Sequence, residues 1–198
     1  VTTSSPPRRS AAWNRVFDTA TRLFYAEGVH AVGVDRIIAE AGVAKATFYH
    51  HFPSKDDLVL AYIAEQSRRQ RGLADLPESA SPREAIGGVF ERMCEVGADP
   101  AYRGCPFINA AAEYPDPAHP VRRAIDEFRE WLRSLFRELL TAGGHPHPDR
   151  TAQSLMLLRD GLAVGFDLDD PDHVRAAVRE TVTRLLGPAP TDPGETNG

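Results

Sequence analysis

One short stretch of this 198-residue chain gathers the side-chain types that hold a polyanion. Lys45, Thr47, Tyr49 and His50 fall on one side of a helix of about two turns, from Ala44 to about His51. Phe48 and Phe52, four residues apart, mark the opposite, buried side. An ammonium, two hydroxyls and an imidazole donate hydrogen bonds to phosphate oxygens or base edges. Lys can donate to guanine O6 and N7, although the sequence does not name the base, and contact with phosphate alone is the other reading of Lys45. Tyr49 reads either as a phosphate contact or as a partly buried aromatic; Phe48 and Phe52 already fill the inner face. Lys55 stands at the start of the next helix, where an ammonium and backbone N–H groups share one phosphate readily.

Other reactive residue types do not assemble into a catalytic set. No coherent Ser/His/Asp, paired-carboxylate or Gly-rich phosphate-loop arrangement occurs, so no enzyme activity and no cofactor are expected. Cys94 and Cys105 are the only cysteines, and with no export signal both are expected reduced, in the cytoplasm. Cys105, flanked by Arg103, Gly104 and Pro106, reads as an electrophile or redox sensor or, alternatively, as a buried inert thiol. His119, His145 and His147, with Asp116 and Asp149 nearby, follow no metal-ligand spacing, and no metal site is expected.

The elements that must position the basic stretch are helices. Val34, Ile37, Ile38 and Ala41 share one face of a helix that Gly42 stops, and the Ala44–His51 helix follows directly. Two helices joined by a tight Gly-containing turn form a helix-turn-helix, whose second helix can enter the DNA major groove. Before it, from about Ser10 to Glu27, Val16, Phe17, Ala20, Leu23 and Phe24 make the apolar stripe of a third helix. Charge follows the same division. Residues 1–72 hold ten Lys/Arg and seven Asp/Glu, whereas the remainder holds 13 and 21. A formal net charge of -5 argues against a protein coated with nucleic acid, and a basic first third on an acidic body places the polyanion at one end.

Six further helices are predicted. Ser54 caps one that runs to about Arg71, with Asp57 in a capping-box variant. Residues 72–80 read as a linker. Ser81-Pro82-Arg83-Glu84 opens the next helix, to about Val96. A short helix over about 106–114, a long one over about 119–142, and two more over 149–166 and 171–186 complete an all-α chain. Residues 1–9 and 188–198 read as disordered tails, with Arg8 and Arg9 either incidental or a basic arm. No apolar run reaches the roughly 20 residues of a membrane span. The later helices carry Phe90, Met93, Cys94, Phe107, Phe128 and Trp131, with Asn109, Glu113 and Arg159 as polar groups. This set reads as the lining of a ligand cavity or as plain core.

The segment AGVAKATFYHHFPSKDDL, behind the helix ending LFYAEG, resembles the TetR family of bacterial transcriptional regulators over about residues 10–64. The resemblance implies a helix-turn-helix domain, 10–53, and a helical ligand-binding and dimerisation domain, 54–187. It implies a repressor that binds a pseudo-palindromic operator in double-stranded DNA as a homodimer and is released by a small-molecule effector. It assigns base-edge or groove contacts to Lys45 and Thr47, and phosphate contacts to Tyr49, His50 and Lys55. Ala44 and Gly33 stand where the family often has a hydroxyl cap. The apolar stripes of the last two helices, with Leu155, Leu158, Leu162, Val174, Val178 and Val182, would pair with the same helices of a second copy. A switch by oxidation of Cys105 or by a protein partner is the alternative to a ligand. An enzyme or carrier using the later helices' cavity is the remote one.

Overall fold

In the computed structural model, residues 9–72, 74 and 80–187 are described, and they form nine helices without a strand. In order these are α1 (Ala11–Glu27), α2 (Val34–Ala41), α3 (Lys45–His51), α4 (Lys55–Gly72), α5 (Pro82–Gly97), α6 (Pro106–Glu113), α7 (Pro120–Ala142), α8 (Pro148–Leu168) and α9 (Pro171–Leu186). The all-α expectation holds. The expected tails, apart from Arg9, and most of the expected linker at 72–80 lie outside the described residues.

The helix ends follow local chemistry. The Ser10 hydroxyl accepts from the Trp13 amide at the start of α1. Ser81 and Glu84 close both halves of a capping box on α5, and Asp170 accepts from the amides of Asp172 and His173 on α9. At Ser54 the box is altered: its hydroxyl accepts from the Asp57 amide and donates to the Asp57 carboxylate.

The chain forms two compact units. Among the described residues, one takes those up to Gln70 together with Cys105–Phe128; the other takes those within Arg71–Gly104 and from Arg129 to Gly187. The boundaries between these units fall inside α4 and inside α7. Leu58, Val59, Tyr62 and Ile63 of α4 are buried, and the Tyr62 ring meets Phe24 of α1 edge-on at 5.8 Å. A helix that fills the core of the three-helix head cannot be separated from it. In the same unit Phe107 of α6 and Phe128 of α7 stack with centroids 4.1 Å apart.

In the second unit α8 packs on α9, and α5 packs on both. Leu155, Met156, Leu162, Ala163 and Phe166 form the buried face of α8, while Phe90 of α5 stacks on Phe136 of α7 at 5.7 Å. Among the described residues of this unit, one charged side chain is buried. Arg159 is 3% exposed and donates to Asp160, which also takes two hydrogen bonds from Arg129, at 2.9 and 2.7 Å. Burial alone would raise the Asp160 carboxyl; the guanidinium hydrogen bonds of Arg129 and then Arg159 overcome it and hold it below the ordinary carboxylate range.

Candidate nucleic-acid interface

The turn between α2 and α3 is set by Gly42, which takes the left-handed conformation (φ 61°, ψ 44°) at the α2 C-cap. Arg15 of α1 reaches the carbonyl of Ala41 at 3.3 Å and supports the turn from behind. Neither Gly33 before α2 nor Ala44 before α3 supplies a side-chain cap, as their residue types dictate. α3 is anchored from its inner side instead. Phe48 and Phe52 are buried, their rings 6.0 Å apart, with Trp13 at 5.4 Å from Phe52. At the C-terminal end of α3 the His51 ring pairs with the Ser10 hydroxyl at 3.0 Å.

This inner anchorage turns the other side outward. Lys45 and His50 are exposed, Tyr49 is 44% exposed and Thr47 is half-buried. The structure thus brings Lys45, Thr47, Tyr49 and His50 onto α3, with Lys55 one turn beyond its end. Two electrostatic details have no local signal in the sequence. The Lys45 ammonium lies 3.2 Å from the Asp35 carboxylate of α2, with both side chains largely exposed. Lys55 is half-buried, and its pKa is lowered by that burial against the pull of Glu113 and Asp56.

A surface frame locks α1 to α2. Arg36 donates twice to Glu27, at 2.6 and 2.8 Å, and once to Glu40 at 2.8 Å, while Arg22 reaches Glu40 at 2.6 Å. Glu27 is held below the ordinary carboxylate range chiefly by Arg36, and Glu40 by Arg22 and then Arg36. Only Arg36–Glu40, spaced i,i+4, had a signal in the sequence.

Two regions of the sequence match known families. The family model described as bacterial regulatory proteins of the tetR family matches residues 16–62, and that of the tetracyclin repressor-like C-terminal domain matches residues 107–188. The HTH-type transcriptional regulator LmrA of Bacillus subtilis is 32% identical over 136 residues, 66% of this chain and 71% of that protein. The chain belongs to the TetR family of bacterial transcriptional regulators. An uncharacterized HTH-type regulator of Mycobacterium tuberculosis, Rv1255c, is 35% identical over 191 residues, 93% of this chain and 90% of that one. The crystal structure of SCO4454, a TetR-family regulator from Streptomyces coelicolor, superposes with a TM-score of 0.85 at 41% identity, covering 88% of this chain and 94% of that one. This TetR-family chain is therefore a DNA-binding transcriptional regulator, in a family of regulators and not of enzymes.

Outside the head, the structure places the sequence-derived residues of this TetR regulator as follows. The nine side chains read as one ligand cavity do not share a unit: Phe107, Asn109, Glu113 and Phe128 belong to the first, and Phe90, Met93, Cys94, Trp131 and Arg159 to the second. Asn109 is exposed. Glu113 is taken up by backbone amides: its carboxylate accepts from Val29 at 2.7 Å and His30 at 2.5 Å. Arg159 is engaged by Asp160, and the Trp131 ring is covered by the Arg71 guanidinium at 4.2 Å. What the second unit does contain is an open groove of about 420 Å³ lined by α5 and α9, with Phe90, Cys94, Val178 and Val182 as its apolar wall and the Glu91–Arg179 ion pair among its polar groups.

The residues expected at a dimer interface are placed as follows. Leu155, Leu162, Val178 and Val182 are buried within their own chain, and Leu158 and Val174 are half-buried. The apolar side chains that α8 exposes are Leu157 (64%), Val164 (47%) and Leu168 (73%). Of the thiols, Cys94 is buried and its pKa is raised by that burial, and Cys105 is 4% exposed at the α6 N-cap. His145 contacts the Leu185 carbonyl at 3.0 Å. Among the described residues no group of three His, Cys, Asp or Glu side chains is placed to hold a metal, and no helix is long and apolar enough to cross a membrane.

Proposed function

We propose that this TetR-family regulator is a cytoplasmic repressor that grips a pseudo-palindromic operator as a homodimer and is released by a small molecule. The observation that carries the DNA-reading assignment is the two-sided character of α3: Phe48 sealed inside, Lys45, Tyr49 and His50 facing out. Lys45 and Thr47 read base edges in the major groove, while Tyr49, His50 and Lys55 hold phosphates. DNA reading is the work of residues 10–53, and effector binding and dimerisation that of 54–187, even though α4 packs with the head.

The second copy docks on α8. Leu157, Gly161, Val164 and Leu168 follow one another at steps of four, three and four residues, so they share one helical face. A glycine within that stripe lets two helices approach closely. Lone exposed apolar residues need no explanation, but a stripe of three on one face marks an interaction surface, and a two-fold dimer is its simplest occupant. The effector is seated in the α5/α9 groove, whose volume of about 420 Å³ falls in the range of small-molecule sites. Oxidation of Cys105 has less support as the switch, since its thiol is buried.

Operator titration over a range of salt tests the DNA assignment. Lys55→Ala should weaken binding to all sequences and lower the slope of log affinity on log salt by about one. An unchanged affinity and slope would remove Lys55 from the interface.

A further inference from the structure

The head is held from a distance along the chain by two adjacent side chains at the end of α6. Glu113 lies more than 80 residues after the α1–α2 turn, yet its two carboxylate oxygens accept separately from the Val29 amide (2.7 Å) and the His30 amide (2.5 Å). The His30 imidazole stands 3.7 Å from the same carboxylate. The turn is shaped to receive it. Gly28 has φ +90°, and a Cβ there would sit 3.1 Å from the Glu113 Oε1. Next to Glu113, the buried Tyr114 donates its hydroxyl to the Asp56 carboxylate in the first turn of α4 at 3.1 Å. The Tyr114 ring lies between the His30 ring (5.1 Å) and the His119 ring (4.7 Å), and His119 reaches Asp56 at 3.4 Å. Hydrogen bonds to an ionised acceptor are about twice as strong as neutral ones, so these contacts are stiff ones.

We propose that Glu113 and Tyr114 are positioning residues for DNA reading, clasping the chain where it enters and where it leaves the helix-turn-helix. Glu113 fixes the turn that leads into α2; Tyr114 fixes the start of α4 directly after α3, beside Lys55. Neither touches DNA. Together they set the angle at which α3 and the Lys55 ammonium are offered to the duplex. The proposal rests on α3 being the reading helix. A positioning role predicts loss of operator recognition without loss of general attraction to DNA, because the latter depends only on net charge near phosphates.

The test uses the full chain and two measurements. Amide hydrogen exchange on the free protein reads the clasp itself: Val29 and His30 amides should exchange at least tenfold faster in Glu113→Ala than in the wild type, with Gln intermediate because it keeps one acceptor oxygen. Affinity for an operator selected from random duplexes, and for random-sequence DNA, reads the consequence. Operator affinity should fall at least tenfold in Glu113→Ala, less in Glu113→Gln, and twofold to fivefold in Tyr114→Phe, with random-sequence affinity within twofold throughout. Unchanged exchange at Val29 and His30 would overturn the clasp. Faster exchange with operator affinity intact, or with both affinities falling together as a smaller folded fraction would produce, would overturn the positioning role. Should Glu113→Ala not fold, Tyr114→Phe decides, since it removes one hydroxyl and leaves the ring in place. A wild-type protein that selects no operator would overturn the reading assignment of α3, and amide exchange would still stand as the test of the clasp.

Discussion

The unit that holds α3 and the unit that holds α8 treat their charged side chains in opposite ways. In the first, the charged side chains among the described residues are exposed or half-buried. Arg22, Arg36, Glu27 and Glu40 frame α1 and α2 from outside, over a core that includes Phe17, Leu23, Ile37, Phe48 and Leu58. In the second, the Arg159 guanidinium lies in the interior and relies on Asp160, itself shared with Arg129. Exposed pairs contribute little stability each; removing one partner of a buried pair is expensive. The contrast implies that the head combines an apolar core and surface ion pairs with the Glu113 and Tyr114 contacts at its edge, whereas the second unit places a charged side chain within its core.

Substitutions can sharpen or break that contrast. The largest effect is expected at Phe48. Phe48→Ala removes a fully buried ring and should cost about 3–5 kcal/mol of head stability, visible as a lower denaturant midpoint and lost operator binding. Asp160→Ala should cost less, about 2–3 kcal/mol, since the Asp160 side chain keeps 28% exposure and water screens part of the loss. Its signature is acid dependence. The Asp160 carboxyl is depressed in the folded state, so its contribution is present above the ordinary aspartate range and is lost as pH falls through the depressed value. Wild-type stability should drop across that window, and Asp160→Ala should flatten the drop; an equally steep curve would mean that Asp160 does not stabilise the unit. Leu157→Arg is expected to leave fold stability within about 0.5 kcal/mol, because the side chain is exposed. It should nevertheless convert the protein to a monomer in sedimentation analysis and weaken operator binding. A Leu157→Arg protein that stays dimeric would move the interface off this face.

The contrast between units also explains how much of each was legible in the sequence. The head is written in local spacing. Phe48 and Phe52, the α1 stripe and Gly42 each act within a few residues, and sequence patterns report such contacts well. The capping residues Ser81 and Asp170 were legible for the same reason. Helix α8 is apolar on two faces, Leu155 and Leu162 on one, Leu157 and Val164 on another. Periodicity shows both faces and cannot tell which one its own chain covers; long-range packing decided it. Glu113 illustrates the same limit of local patterns. Its residue type suits a cavity wall, and nothing within ten residues of it announces the Val29 and His30 amides that it accepts from. The bond between Lys45 and Asp35 joins two helices across the Gly42 turn, at a separation of ten residues, outside any helical repeat.

The central claim is that the outward face of α3 selects sequence. Binding-site selection from random duplexes, performed with the wild type and with Lys45→Ala, tests it most directly. The account predicts that Lys45→Ala relaxes base preference at one position in each half-site, by about 1–3 kcal/mol of discrimination, while the other positions keep theirs. An identical selected sequence for both proteins would contradict the assignment of Lys45 as a reader of bases.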